Sequence, residues 1–405
     1  MGKDLKGREL GKGLRQRKDG RYEGRTNING ENICIVKPTL KECSKLFKDA
    51  KELALNNMNI KKMNITLNEW FEEWFEQYKK PFIKETSIYP TRSKYYNIFG
   101  NAIGDMKIST ITNIDIQSVI NDMKFKGRAP SSMRTALGIV RDCMESAKNN
   151  RLIQVNPCFD IKVYWENKNV LRRFLSKEEQ ELFLNKSKYN MDWYYEMFYI
   201  MLYTGMRVGE VGGLKWEDID YDNKCIHIRR ALSCQYEGGK KVIRLTTPKT
   251  HNSYRDIPFL GEVEKMLKAQ YKKQQVTKSN LGDRWREEQG FENFVFTSSM
   301  GSPITRYIAE KQINKIVNAI NEEEMFNAIR ERREPKLFEK VYPHALRHTF
   351  CSRCFECNMN PKVVQKIMGH QHYSTTIDIY THVTDEKLED EVSKFNTLSE
   401  LPQII

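Results

Sequence analysis

Tyr342-Pro-His-Ala-Leu-Arg347-His-Thr-Phe350 places His344 and Arg347 three residues apart. On a helix that spacing puts both side chains on one face, so an imidazole and a guanidinium converge on one point. His348 points elsewhere and is read as a packing residue. Working outward, Pro361 to Met368 reads as a helix that Gly369 ends, which leaves His370 on a turn. Upstream, Thr204-Gly-Met-Arg207-Val-Gly-Glu210 surrounds a second arginine with glycines that permit tight turns. Glu210, three residues after Arg207, shares its face and is placed to hold that guanidinium.

These residue types suit one kind of chemistry. A phosphodiester displaced at phosphorus gathers negative charge on its equatorial oxygens, which fixed cations must meet. Arginine does this best, because its planar fork holds two oxygens and keeps its charge. Arg207 and Arg347 are the candidates. A phenol with an ordinary pKa of about 10 attacks only beside cations or a base, and an ammonium on a short hairpin can return a proton to the leaving oxygen. Among 19 tyrosines and 67 lysines and arginines, the residues alone leave Tyr342, Tyr373 and Tyr380 open as the phenol, and Lys240, Lys241 and Lys249 as the ammonium.

The 405 residues are too many for one small core, so two or three domains are expected. A net charge of +14 favours a polyanionic partner. Nine irregularly spaced cysteines and no apolar signal at Met1-Gly-Lys-Asp-Leu-Lys point to a reducing cytosolic compartment. No run of about 18 apolar residues predicts a membrane span. Cys351, Cys354 and Cys357 share a helical face without a suitable fourth cysteine and are read as packing residues, not iron–sulfur ligands. No glycine-rich phosphate loop is present, which argues against ATP use.

Along the chain, a basic start of nine Lys/Arg against four acids within residues 1–30 suggests a mobile arm of ten or so residues. Strands are predicted at Arg21–Thr26 and Glu31–Val36, then a helix over Lys41–Asn56 burying Cys43, Leu46, Phe47, Ala50, Leu53 and Leu55. A helical block follows. The capping box Thr66-Leu-Asn-Glu69 opens a helix with Leu67, Trp70, Phe71, Trp74 and Tyr78 as its core stripe. Further helices are expected over Ser87–Ile103, Thr112–Lys124 and Ser131–Asn149. After a polar connector from Trp165 to Arg173 and a second capping box at Ser176-Lys-Glu-Glu179, a helix is read over Asp192–Tyr203. A three-stranded patch follows at Cys225–Arg230, Lys241–Thr246 and Ser253–Pro258, turning at Gly238-Gly239, and helices resume from Ile304. Glu322–Glu339 reads as a solvated helix or loop.

The order of the Arg207, Lys249, His344/Arg347, His370 and Tyr380 motifs resembles the tyrosine recombinase (phage integrase) family, and Arg15-Gln-Arg-Lys-Asp-Gly-Arg-Tyr22 looks like the start of the arm-binding domain of integrases from conjugative transposons and temperate phages. The resemblance implies a mainly α fold with small antiparallel sheets (α+β). It implies an arm-site DNA-binding domain over residues 1–62, a helical SAM-like core-binding domain over 63–165, a catalytic domain over 172–395 and a tail over 396–405. It selects Tyr380, in Ile379-Tyr-Thr-His382, as nucleophile, Lys249, in Thr247-Pro-Lys-Thr, as general acid, and Arg207, His344, Arg347 and His370 as transition-state donors. Arg15, Arg17, Lys18, Arg21 and Arg25 would bind DNA. Neither metal nor cofactor is implied. Double-stranded DNA, a homotetramer upon it, and an excisionase or host DNA-bending protein are the implied partners, in the cytoplasm with the nucleoid. A type IB topoisomerase and a non-enzymatic DNA-binding regulator are the competing readings.

Overall fold

Short paired strands begin the chain. The computed structural model describes residues 2–28, 31–55, 64–164, 173–190, 192–247 and 253–377, in two compact units, Met1–Lys168 and Asn169–Ile405. Within the expected mobile arm, β1 (Gly2–Lys3) pairs antiparallel with β2 (Glu9–Gly11). Asp4 organises the turn between them, accepting from the backbone N–H groups of Lys6 and Arg8. Next come β3 (Leu14–Gln16), β4 (Tyr22–Ile28) and β5 (Glu31–Lys37), an antiparallel sheet in sequence order. Alternation along the strands turns Leu14, Ile33 and Ile35 toward α1 (Leu40–Leu55), whose Cys43, Phe47 and Ala50 close a small core. Leu55, expected inside, stands at the helix end and is exposed.

A separate apolar core holds the helices α2 (Leu67–Trp74), α3 (Glu85–Tyr95), the single turn α4 (Asn101–Ile103), α5 (Asn113–Phe125) and α6 (Pro130–Asn149). The capping box at Thr66 and Glu69 forms as read. Tyr78 leaves the predicted stripe and is exposed, because Phe75–Lys79 winds as a π turn. Widening the turn shifts the register of the face, and Phe75 takes the buried place instead.

In the second unit, α7 (Lys177–Asn190), α8 (Asp192–Thr204) and the short α9 (Val208–Gly212) lead into two sheets rather than one patch. β6 (Ile219–Asp220), β7 (Cys225–Ile228) and β10 (Arg255–Pro258) form one, with β7 central. β8 (Ala231–Glu237), absent from the sequence reading, pairs with β9 (Lys240–Thr246) as a separate hairpin. α10 (Gly261–Leu281) was also not expected, and α11 (Arg306–Glu331) takes up much of the charged stretch read as starting at Glu322. α12 (Pro343–Glu356) and α13 (Pro361–Met368) complete the described elements. Ile226, Ile228 and Ile257 turn from the sheet into the main core, which also takes Phe198, Met201 and Leu346. Cys351 and Cys354 pack with Val364 and Met368, joining α12 to α13, while Cys357 at the helix end is exposed.

Candidate active site

α13 ends at Gly369, whose left-handed φ of +62° turns the chain sharply. A helix leaves its last carbonyls without partners inside the helix, and buried ones need donors. Here the amides of Gly369 and His370 reach the Lys366 and Gln365 carbonyls at 3.2 Å each. The next three are taken by three arginines. Arg255 Nε donates to Ile367 O at 2.5 Å, an Arg347 terminal nitrogen donates to Met368 O, and one from Arg207 donates to Gly369 O at 3.1 Å. The C-terminal pole of the helix is negative and favours such cations. Three guanidiniums are thereby gathered beside His370.

Glu210 binds the cluster from the other side. Its carboxylate accepts from Arg207 at 2.7 Å and takes both terminal nitrogens of Arg255, at 3.0 and 2.9 Å. It also caps the start of α9 by accepting from the Arg207 backbone N–H. Burial alone would raise its pKa, but the Arg255 hydrogen bonds and the charges of Arg255, Arg207 and Arg347 prevail and hold it at about 2. Glu210 is therefore ionised throughout the neutral range.

Arg347 is almost wholly buried and donates to Gly205 O at 2.7 Å as well as to Met368 O. Burial first, and then the neighbouring Arg207 charge, pull its pKa down to about 9, so it stays cationic at neutral pH. Gly205 is required where it stands. Its φ is +64°, and a Cβ there would lie 2.4 Å from Phe350 Cδ1. His344, on the face of α12 that Arg347 shares, is held below the usual histidine range by desolvation and then by Arg347, Arg207 and Arg306. His348 meets the His344 ring edge-on, centroids 5.3 Å apart. His370 is buried, and its Nδ1 lies 2.9 Å from the Thr376 hydroxyl. Beside it opens a cleft lined by Tyr254, Arg255, Lys362 and Lys366 among others.

The arrangement thus joins Arg207, Glu210, Arg347 and His370 and sets His344 within reach of the arginine charges. Lys249 and Tyr380 lie outside the described residues, as do the connector 165–172 and the tail. Arg255 was not anticipated. Its signal lay in Tyr254-Arg-Asp-Ile-Pro258, where alternation sends Arg255 inward with Ile257, and a charge on the inward face needs a buried partner.

The N-terminal candidates belong to the first unit. Arg15 and Arg25 project from the sheet face opposite α1, opposite Glu23 and Cys34 in register. Arg17, Lys18 and Arg21 cluster at the Asp19-Gly20 turn. Several are already paired, Arg15 with Glu23 at 2.6 Å and Arg21 with Asp19 at 2.7 Å.

Residues 173–387 match the Phage integrase family, and residues 66–124 match the phage integrase N-terminal SAM-like domain. The chain belongs to the phage integrase family. This integrase-family member is a tyrosine recombinase, an enzyme of DNA strand cleavage and rejoining. It is 25% identical over 413 residues to the transposase from transposon Tn916 of Enterococcus faecalis, covering 97% of this chain and 96% of the relative. A tyrosine recombinase XerC-like protein of Caldanaerobacter subterraneus subsp. tengcongensis is 26% identical over 357 residues, 85% of this chain and 86% of that protein. Among solved structures, the Tn1549 transposon integrase in complex with circular intermediate DNA superposes with a TM-score of 0.64 at 23% identity, over 81% of this integrase and 99% of that chain. A lambda integrase tetramer bound to a Holliday junction gives a TM-score of 0.51 at 17% identity, over 91% of this integrase and 95% of that chain. No helix among the described residues is long and apolar enough to cross a membrane.

Proposed function

We propose that this recombinase integrates and excises a mobile element by breaking and resealing duplex DNA through Tyr380. The phenolic oxygen attacks phosphorus, a 3′-phosphotyrosyl bond forms, and the 5′ oxygen leaves with a proton from Lys249. The reverse attack by a 5′ hydroxyl of the partner strand reseals the backbone. One bond exchanges for another of similar energy, so the cycle consumes no ATP. Arg207, Arg347, His344 and His370 hold the phosphate, and Glu210 fixes the arginines. His344, kept largely neutral at pH 7, is suited to accept the phenolic proton.

The observation that carries this reading is the gathering of Arg207, Arg255 and Arg347 on three successive carbonyls, next to His370. Preorganised cations stabilise a phosphoryl transition state without reorganising during the reaction. Full-length similarity to a transposon transposase supports a transposon-borne element. In this reading residues 1–62 grip arm sites through Arg15, Arg17, Lys18, Arg21 and Arg25, residues 63–165 and 172–395 bind the core site, and residues 396–405 dock on a neighbouring protomer. Four protomers act on two duplexes, assisted by an excisionase or a host DNA-bending protein.

A nicked suicide duplex spanning the joined ends of the element tests the proposal. Wild-type protein traps a denaturant-resistant adduct, and Tyr380→Phe traps none while still shifting the DNA. An undiminished adduct in that variant overturns the nucleophile assignment. Relaxation of supercoiled DNA lacking any attachment sequence would instead favour topoisomerase behaviour.

A further inference from the structure

The sheet β6–β7–β10 has a polar outer face, whose Asp256 also lines the cleft beside His370. Its strands alternate, so that Ile226, Ile228 and Ile257 enter the core while Cys225, His227 and Asp256 face out. Antiparallel register sets Asp220 opposite Cys225 and Asp256 opposite His227. Directly opposite residues share a face. Four potential metal-binding or metal-supporting side chains from three strands therefore meet on one side of the sheet.

Their geometry separates into two roles. Asp256 Oδ1 lies 2.6 Å from His227 Nδ1, a distance suited to accepting that N–H and too short for two ligands of one ion. The bond fixes the tautomer and leaves the Nε2 lone pair available. Nε2 lies 3.8 Å from Asp220 Oδ2, and Cys225 Sγ sits beside the ring, 3.9 Å from Nε2 and 4.0 Å from Nδ1. One donor atom from each of the three residues lies within 4.8 Å of the others. Bond lengths of about 2.0–2.3 Å in a tetrahedral zinc site imply ligand separations of about 3.3–3.6 Å. The two Nε2 separations exceed these values by about 0.3–0.5 Å, and seating an ion requires the Cys225 and Asp220 side chains to close on Nε2. Asn223 donates its backbone N–H and side-chain amide to the two Asp220 oxygens at 2.8 Å each, holding that carboxylate in place.

We propose that Asp220, Cys225 and His227 form a site for a zinc-type divalent ion, with Asp256 orienting the histidine from behind. One sulfur, one imidazole and one carboxylate make a borderline-soft donor set, and a carboxylate behind a ligating imidazole is its usual support. Three protein ligands leave a fourth position to water. The ion ties β6 to β7 on the face opposite the core.

Titrating the full chain with Co2+ tests the site by absorption. The expected result is thiolate-to-cobalt charge transfer with the strong visible bands of four-coordinate cobalt, both displaced by Zn2+. Cys225→Ser removes the charge transfer, Asp220→Asn weakens binding at least about tenfold, and Asp256→Asn weakens it about 10–100-fold with the band shape kept. Cys34→Ser and Cys357→Ser, at the exposed cysteines, leave the spectrum unchanged. Zn2+ also raises the melting temperature of the wild type and not of Cys225→Ser. Charge transfer surviving in Cys225→Ser overturns the proposal, as does its absence in wild-type protein whose circular dichroism shows a folded chain.

Discussion

At the scale of single residues, Glu210 carries the greatest electrostatic weight. Its carboxyl sits at about 2 in the fold against an ordinary 4.5, so its contribution to stability is full above pH 4.5 and fades as pH falls toward 2. Replacing it by glutamine is expected to lower stability at pH 7 and to flatten the acid limb of melting temperature against pH in that window. Arg255→Ala removes one of the two guanidiniums that hold the buried Glu210 carboxylate and strands the Ile367 carbonyl at the helix end. It is expected to cost about 3–5 kcal/mol in denaturant unfolding, as breaking a buried pair does, with Arg255→Lys recovering part of this. The sequence made Arg207, Glu210, His344, Arg347 and His370 legible because each sits in a motif or at helical spacing. Arg255 was hidden because its partners, Glu210 and Ile367, are 45 and 112 residues away. Asp220, Cys225, His227 and Asp256 were hidden for a similar reason, since strand pairing and no short motif brings them together.

At the scale of elements, the turn between α8 and α9 decides where Arg207 points. Gly205→Ala adds a Cβ that collides with Phe350 in a left-handed backbone, and is expected to cost about 1–3 kcal/mol. A matching fall in suicide-substrate cleavage, with circular dichroism unchanged, would separate misplacement of Arg207 from unfolding. Helices with strong apolar faces or clear stops, such as α6 and α13, were readable to within a residue or two. α10 was not. Over 21 residues it buries chiefly Val263, Leu267, Gln270 and Gln274, and two glutamines in place of apolar residues erase the stripe. Those amides reach the Val295 and Phe294 carbonyls, a tertiary pairing that residue type alone does not announce. The strand β8 was missed because its alternation is blurred by half-buried polar positions.

At the scale of the whole molecule, the excess of positive charge lies mostly in the first unit, with 31 Lys/Arg against 20 Asp/Glu over residues 1–168 and 36 against 33 over residues 169–405, and in the proposed division of labour the two units use it differently. Alanine at Arg15, Arg17, Arg21 and Arg25 together is expected to weaken binding to arm-site DNA and to shrink the salt dependence of that binding by roughly one unit of slope per lost phosphate contact. Cleavage of a short core duplex should be unchanged, and a parallel loss there would argue against separate roles. Arginines already paired with Asp19 and Glu23 must exchange those partners for phosphate, so the gain per residue is smaller than their number suggests.

In the proposed mechanism Arg347 does more than face a phosphate. Its fork buckles the chain just beyond α8 to the end of α13, two points 163 residues apart in sequence. A lysine at this position would keep the charge and yet release one of the two straps, since a single ammonium cannot reproduce a rigid planar grip. Catalytic competence and the closure of the domain are thereby made one property, and a protein that loses the first at this position also melts sooner.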